Sequence, residues 1–266
     1  MVTELDTSAA EAYEASLVPG LMAPWAELIV SSAQIRAGAS VLDVACGTGI
    51  AARYAARRSG PHGRVVGVDV DQGMLSVARA VSKQEGLSIE YEYASASELP
   101  FETESFDAVL CLQGFQYFPN RLQAMSELRR VLRTGSPLLI VTWSAIENCK
   151  GQCAMVSALE RRGIDAAAAR KPFSLSAASE MQSLAEDAGF TKVSTRSEQR
   201  LGRFQSATSF VEAMLQGAPS TRQALEKVPA EDWPSFLTEM ETVLARWNTG
   251  SRLEFPVECN VVEAHR

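Results

Sequence analysis

The chain has 266 residues, 46% hydrophobic and 21% charged, enough apolar side chain to fill one large or two small α/β domains. Its 25 Lys and Arg against 32 Asp and Glu leave a net charge of −7. That balance argues against a nucleic-acid partner, which needs a basic stripe to neutralise phosphates.

In chain order, residues 1–36 read as a helical extension whose acidic start, MVTELDTSAAEAYE, lacks the basic and apolar parts of a signal peptide. Ser40 to Ala45 is an apolar run of strand length, followed by a glycine turn and an Ala/Arg-rich helix from Ile50 to Arg58. Arg64 to Val68 predicts a second strand, and Gly73 to Glu85 a helix stopped at Gly86. Ser88 to Tyr93 and Phe106 to Leu112 predict the third and fourth strands. Asn120 caps the next helix, Arg129, Arg130 and Arg133 favour its negative end, and Gly135 offers a left-handed stop. Leu138 to Thr142 is the fifth strand. Alternation of this kind is the signature of a doubly wound α/β fold with a parallel sheet.

Further on, Ser176 to Ala188 reads as a helix closed by Gly189, Phe190 to Ser197 as a strand, and Phe255 to Ala264 as the last strand. Between those strands lies a helical insert, residues 204–250, opened by a capping box at Ser209-Phe-Val-Glu212 and broken at Pro219, Pro229 and Pro234. No linker divides the chain, so residues 1–266 are read as a single domain. The apolar runs are far shorter than the roughly 20 residues that span a bilayer. Cys46, Cys111, Cys149, Cys153 and Cys259 form no C-x-x-C pair, and the two histidines lie apart from them, so free thiols, no metal and a cytoplasmic location are expected.

The chemistry concentrates at Val41-Leu42-Asp43-Val44-Ala45-Cys46-Gly47-Thr48-Gly49-Ile50, a strand running through glycines into a helix. Glycine lets the backbone bend tightly and lets a ligand approach, and the helix N-terminus offers unpaired N–H groups. Gly47-x-Gly49-x-x-Ala52 also fits the dinucleotide pattern, and Asp69, 22 residues past Gly47, stands where a ribose-binding acid is expected. The turn alone therefore leaves two ligands open, a nicotinamide dinucleotide and S-adenosylmethionine (SAM).

Later segments separate them. VLDVACGTG, VVGVDVDQGML, ASASELPF, FDAVLCLQGFQYFPN and LRRVLRTGS, in this order over residues 36–145, resemble the motifs of the class I SAM-dependent methyltransferases, especially the menaquinone/ubiquinone C-methyltransferase branch. The resemblance implies a Rossmann-like seven-stranded sheet in the order 3-2-1-4-5-7-6 with the last strand antiparallel, and an N-terminal helix, around Tyr13 to Trp25, folded over the cofactor. It also implies SAM, with product S-adenosylhomocysteine, held by Asp43, Ala45, Cys46, Gly47, Thr48, Gly49, Asp69, Val70, Met74, Ser95, Ala96, Leu112 and Gln113. Ala45 departs from the usual first glycine and Ser95 from the usual Asp beside the adenine.

A sulfonium methyl is already activated, so the expected activity is in-line transfer to an N, O, S or C nucleophile of a small molecule, by proximity and orientation. Histidines found in related enzymes after the fourth strand are replaced here by Phe115-Gln116-Tyr117-Phe118. Gln116 and Tyr117 are the candidate catalytic groups, and neither is an obvious base. The aromatic residues of the insert suggest an apolar lid over a planar or apolar substrate. A catalytically idle SAM-binding protein, a SAM-fold cyclase or aminopropyl transferase, and an NAD(P) oxidoreductase are the competing expectations.

Overall fold

A computed structural model describes residues 5–266. Seven strands form one sheet in the order β3-β2-β1-β4-β5-β7-β6, as expected: β1 Ser40–Val44, β2 Arg64–Asp69, β3 Glu90–Tyr93, β4 Ala108–Leu112, β5 Pro137–Trp143, β6 Thr191–Phe204 and β7 Leu253–His265. The first five pair in parallel, and β7 runs antiparallel to both β5 and β6. The central strands are buried on both faces, so successive residues divide between two cores. Val41, Leu110 and Leu139 pack on one side, and Leu42, Val109 and Ile140 on the other.

The helices are α1 (Ser8–Ala12), α2 (Ala23–Ser32), α3 (Ile50–Ser59), α4 (Gln72–Gln84), α5 (Arg121–Val131), α6 (Lys150–Arg161), α7 (Ala167–Arg170), α8 (Ala178–Asp187), α9 (Ala207–Gly217), α10 (Pro219–Leu225) and α11 (Trp233–Leu244). A π-helical segment, Tyr13–Met22, joins α1 to α2 without a break. Pro19 lies inside it and supplies no backbone N–H, so a regular ladder cannot run through that turn. The expected N-terminal cover is thus helical from Ser8 onward, and residues 1–4 of it lie outside the described residues.

Three local expectations are corrected. The insert opens at Ser206, not Ser209: Ser206 is extended and accepts from the Ser209 N–H at 3.0 Å, while the Ser209 hydroxyl answers the Ser206 N–H at 2.8 Å. Ser209 is already inside the helix, and its hydroxyl replaces the expected Glu212 carboxylate. Gly135 (φ +80°) does not stop α5, which ends at Val131 when Leu132 turns extended and bridges to Phe106; the glycine serves the turn into β5. The penultimate strand is longer than its apolar pattern, because β6 continues to Phe204 through a charged stretch paired along β7. Side chains such as Lys192, Arg196, Arg200 and Arg203 guard that open edge.

Candidate functional site

The strand order reverses between β1 and β4, and parallel sheets open a crevice beyond the carboxyl ends of the strands at such a point. Here the crevice is a cavity of about 570 Å³, within the range of small-molecule sites. Its floor is the ends of β1, β2 and β4, its roof the Tyr13–Met22 segment with α9 and α10, and its far wall α6 and α7.

Eleven of the thirteen expected cofactor residues line it: Asp43, Ala45, Cys46, Gly47, Asp69, Val70, Met74, Ser95, Ala96, Leu112 and Gln113. Thr48 and Gly49 do not. Thr48 is 1% exposed, and its carbonyl accepts from Arg53 at 2.7 Å, so it builds the turn from behind. Gly49 caps α3 in the left-handed region (φ +83°), and a Cβ there would lie 2.2 Å from the Tyr91 hydroxyl. Gly49→Ala is accordingly expected to cost about 3 kcal/mol, from left-handed strain plus overpacking, measured by urea denaturation.

The turn is held by its own acids. Asp69 accepts from the Gly47 N–H at 2.8 Å and from the Asp71 N–H at 3.0 Å, and burial pushes its carboxyl up against those bonds. Asp43, 1% exposed, accepts from the Ala52 N–H at 2.9 Å through Oδ2, while Oδ1 is buried with no partner among the described residues. Burial pushes its carboxyl up to about 7, only partly offset by the Ala52 bond. A buried, unpartnered carboxylate oxygen on a cavity wall fits a cationic donor.

Two wall residues carry left-handed backbone without being glycine, Ala45 (φ +54°) and Gln113 (φ +58°). The alanine departure is therefore more than an added methyl: it holds a conformation that disfavours any side chain. Opposite it, a Cβ on Gly114 would lie 2.4 Å from the Ala45 Cβ, so the space of one methyl is shared between the two positions.

The candidate catalytic pair divides. Gln116 does not line the cavity; it is 3% exposed and donates to the Gln113 carbonyl and side-chain oxygens, both at 3.1 Å. Tyr117 lines the cavity while 45% exposed, and the partial desolvation it meets there can only push its phenol up, so it stays protonated at neutral pH. Ser95 also lines the wall, with its hydroxyl oxygen accepting from the Ser97 N–H at 3.2 Å.

The far wall lies outside every motif read from the sequence. Trp143, Gln152, Met155, Val156, Ala169, Lys171 and Phe173 reach the cavity from the end of β5 and from α6, α7 and the turn beyond. Cys149 and Cys153, four apart as on one helix face, bracket Gln152 in the sequence, but that spacing carries no sign of a ligand. Among the described residues no group of three His, Cys, Asp or Glu could hold a metal ion, and no helix is long and apolar enough to cross a membrane.

Residues 41–135 match the family described as a methyltransferase domain. The chain is 38% identical over 131 residues to the ubiquinone/menaquinone biosynthesis C-methyltransferase UbiE of Hahella chejuensis, covering 48% of this chain and 53% of that protein. It is 34% identical over 148 residues to UbiE of Bordetella avium, covering 54% and 58%. It thus spans little more than half the length of these curated relatives. Among solved structures, a SAM-dependent methyltransferase from Aquifex aeolicus superposes with a TM-score of 0.54 at 22% identity, over 73% of this chain and 92% of that one. A Haemonchus contortus phosphoethanolamine N-methyltransferase in complex with SAM gives 0.61 at 19%, over 100% of this chain and 58% of that one. These likenesses give the fold.

Proposed function

We propose, from the methyltransferase-domain match over residues 41–135, that the chain is a SAM-dependent methyltransferase acting on a small molecule. The observation that carries the cofactor assignment is the cavity-lining Asp43, whose buried Oδ1 has no partner among the described residues and whose carboxylate suits the ammonium of the methionine end. Asp69, already oriented by the Gly47 and Asp71 N–H groups, keeps lone pairs for the ribose hydroxyls. Val70 and Met74 offer apolar contact to the adenine beside Ser95 and Ala96, and Leu112 and Gln113 lie toward the reacting end.

SAM supplies a methyl group on a sulfonium that needs no further activation. The chain's own contribution is to bind, orient and keep water out. The helical roof, residues 5–36 with the 204–250 insert, acts as the lid of one catalytic unit, and orientation of this kind contributes roughly 7–11 kcal/mol in favourable cases. Apart from the aspartates given to the cofactor, the tyrosines and the thiol of the wall offer no ready base: Tyr117 stays protonated, and burial holds the Tyr13 phenol and the Cys46 thiol above their ordinary ranges. The acceptor is therefore a group already nucleophilic, whether N, O, S or the carbon of an electron-rich ring.

Calorimetry with SAM, S-adenosylhomocysteine and NADH tests the cofactor, and transfer of radiolabelled methyl into a metabolite extract tests the activity. Binding of NADH alone rejects the assignment, and SAM binding without any transfer reduces the protein to an idle binder. Asp69→Ala is expected to weaken SAM binding by about 10-fold or more, the loss of hydrogen bonds to a charged acceptor. Because Asp69 also ties down the Gly47 N–H, a modest loss of stability should accompany it.

A further inference from the structure

The cavity has two chemically different halves. The half at the ends of β1 and β2 carries Asp43, Asp69 and Asp71, all acidic. The far half is apolar and aromatic, with Met155, Val156 and Met214, and with Trp143 and Phe173 whose ring centroids lie 6.3 Å apart, tilted by 37°. Set in this apolar wall is Gln152, 5% exposed, whose side-chain oxygen is buried with no partner among the described residues. An unpaired amide oxygen in such surroundings is unfavourable, and pairing of the carboxamide with a ligand hydroxyl or amino group offsets that on binding. Lys171, two positions before Phe173, is the cationic residue of the cavity wall, which has no Arg or His among its described lining residues.

We propose that this half is an acceptor subsite for a planar aromatic acid carrying a hydroxyl or amino group. The ring packs against Trp143 and Phe173, the polar substituent meets the Gln152 carboxamide, and the acid pairs with Lys171. The carboxamide suits a hydroxyl whichever way it is turned, since a hydroxyl both donates and accepts. An acid would be repelled by the three aspartates of the other half, and Lys171 provides the opposing charge that seats it at this end. The assignment rests on the SAM reading, because it takes the acidic half to be filled by the cofactor.

The test loads the full chain with S-adenosylhomocysteine and titrates three probes: para-hydroxycinnamate, cinnamate and para-hydroxycinnamyl alcohol. The native protein should bind para-hydroxycinnamate about 10-fold more tightly than either other probe, since each lacks one of the two polar contacts. Gln152→Met should close the gap to cinnamate alone, and Lys171→Gln the gap to the alcohol alone. Gaps that survive these substitutions, the absence of gaps in the native protein, or failure of all three probes to bind would overturn the proposal. Failure to bind S-adenosylhomocysteine in the native protein would instead reject the cofactor reading. Should Gln152→Met lose that binding, Gln152→Ala repeats the measurement, and retention of the cinnamate gap there also counts against the subsite.

Discussion

Asp43→Asn is expected to stabilise the ligand-free protein above neutral pH and, in the same step, to weaken SAM binding by about 10–100-fold. Both effects come from one buried carboxyl. In the ligand-free chain burial pushes Asp43 up to about 7, whereas in the unfolded chain it titrates near the ordinary aspartate value of about 4. Between those values the folded state binds more protons than the unfolded one, so stability falls as pH rises. The contribution of the neutral acid is fully present below about pH 4 and is lost as pH rises through about 7. An asparagine can keep an oxygen toward the Ala52 N–H and carries no charge to bury, so the slope in urea-denaturation curves taken across that window should shrink, leaving the part due to Asp69, which burial also pushes up. Its amino group would then stand where Oδ1 stands and face the ligand's ammonium as a second donor. Calorimetry should show SAM affinity of the native protein falling as pH drops below about 7, with a proton released on binding, and both behaviours weakened in the variant. Native affinity that does not change with pH would remove Asp43 from the site.

Gly114→Ala is expected to destabilise the fold by about 3 kcal/mol and to abolish ligand binding, because two methyls fixed to backbone would be forced together. The new Cβ would lie 2.4 Å from that of Ala45, and neither is the movable end of a flexible side chain. Adding Ala45→Gly should restore most of the loss. The double variant trades one methyl for another, and it relieves the left-handed alanine, which costs about 1–2 kcal/mol. Ala45→Gly alone should be nearly neutral, since that relief is offset by the added freedom of glycine in the unfolded chain, about 0.4–1 kcal/mol, and by the lost packing. Denaturation of the four proteins as a double-mutant cycle measures the coupling directly, and additive effects would mean that the two positions do not share this space.

The part of the architecture legible in the sequence was the part that repeats a local pattern. Buried apolar runs gave the strands, and the glycine turn with Asp69 marked the sheet edge at which the cavity opens. The glycines at Gly86 and Gly189 do end their helices, with left-handed φ of +69° and +85°. Local patterns failed where several spacings satisfy the same rule. Ser206 and Ser209 are both residues of N-cap type, and the backbone conformation that chooses between them is set by where β6 stops. Thr48 and Gly49 sit within the motif yet face away from the cavity, because the turn needs residues behind it as well as in front. Gln152 was invisible for a different reason. A glutamine between cysteines on a helix looks like a solvated residue until the fold buries it, and what makes it chemically expectant is the missing partner.

The roof has a consequence for how the cavity comes into being. Gly217 at the end of α9 lies against the backbone of Tyr13, where a Cβ would come within 2.9 Å of the Tyr13 Cα. Arg53, with its side chain 2% exposed, reaches from α3 to Glu14 at 2.6 Å. The first helices are thus seated against a segment near the other end of the chain and bolted to the helix of the glycine turn. Contacts of such wide sequence separation carry their loop-closure entropy until the intervening sheet has formed. The turn is written locally, but the chamber above it belongs to the completed molecule, so nascent or partly unfolded chains hold the ligand motif without the enclosure that would give it chemistry.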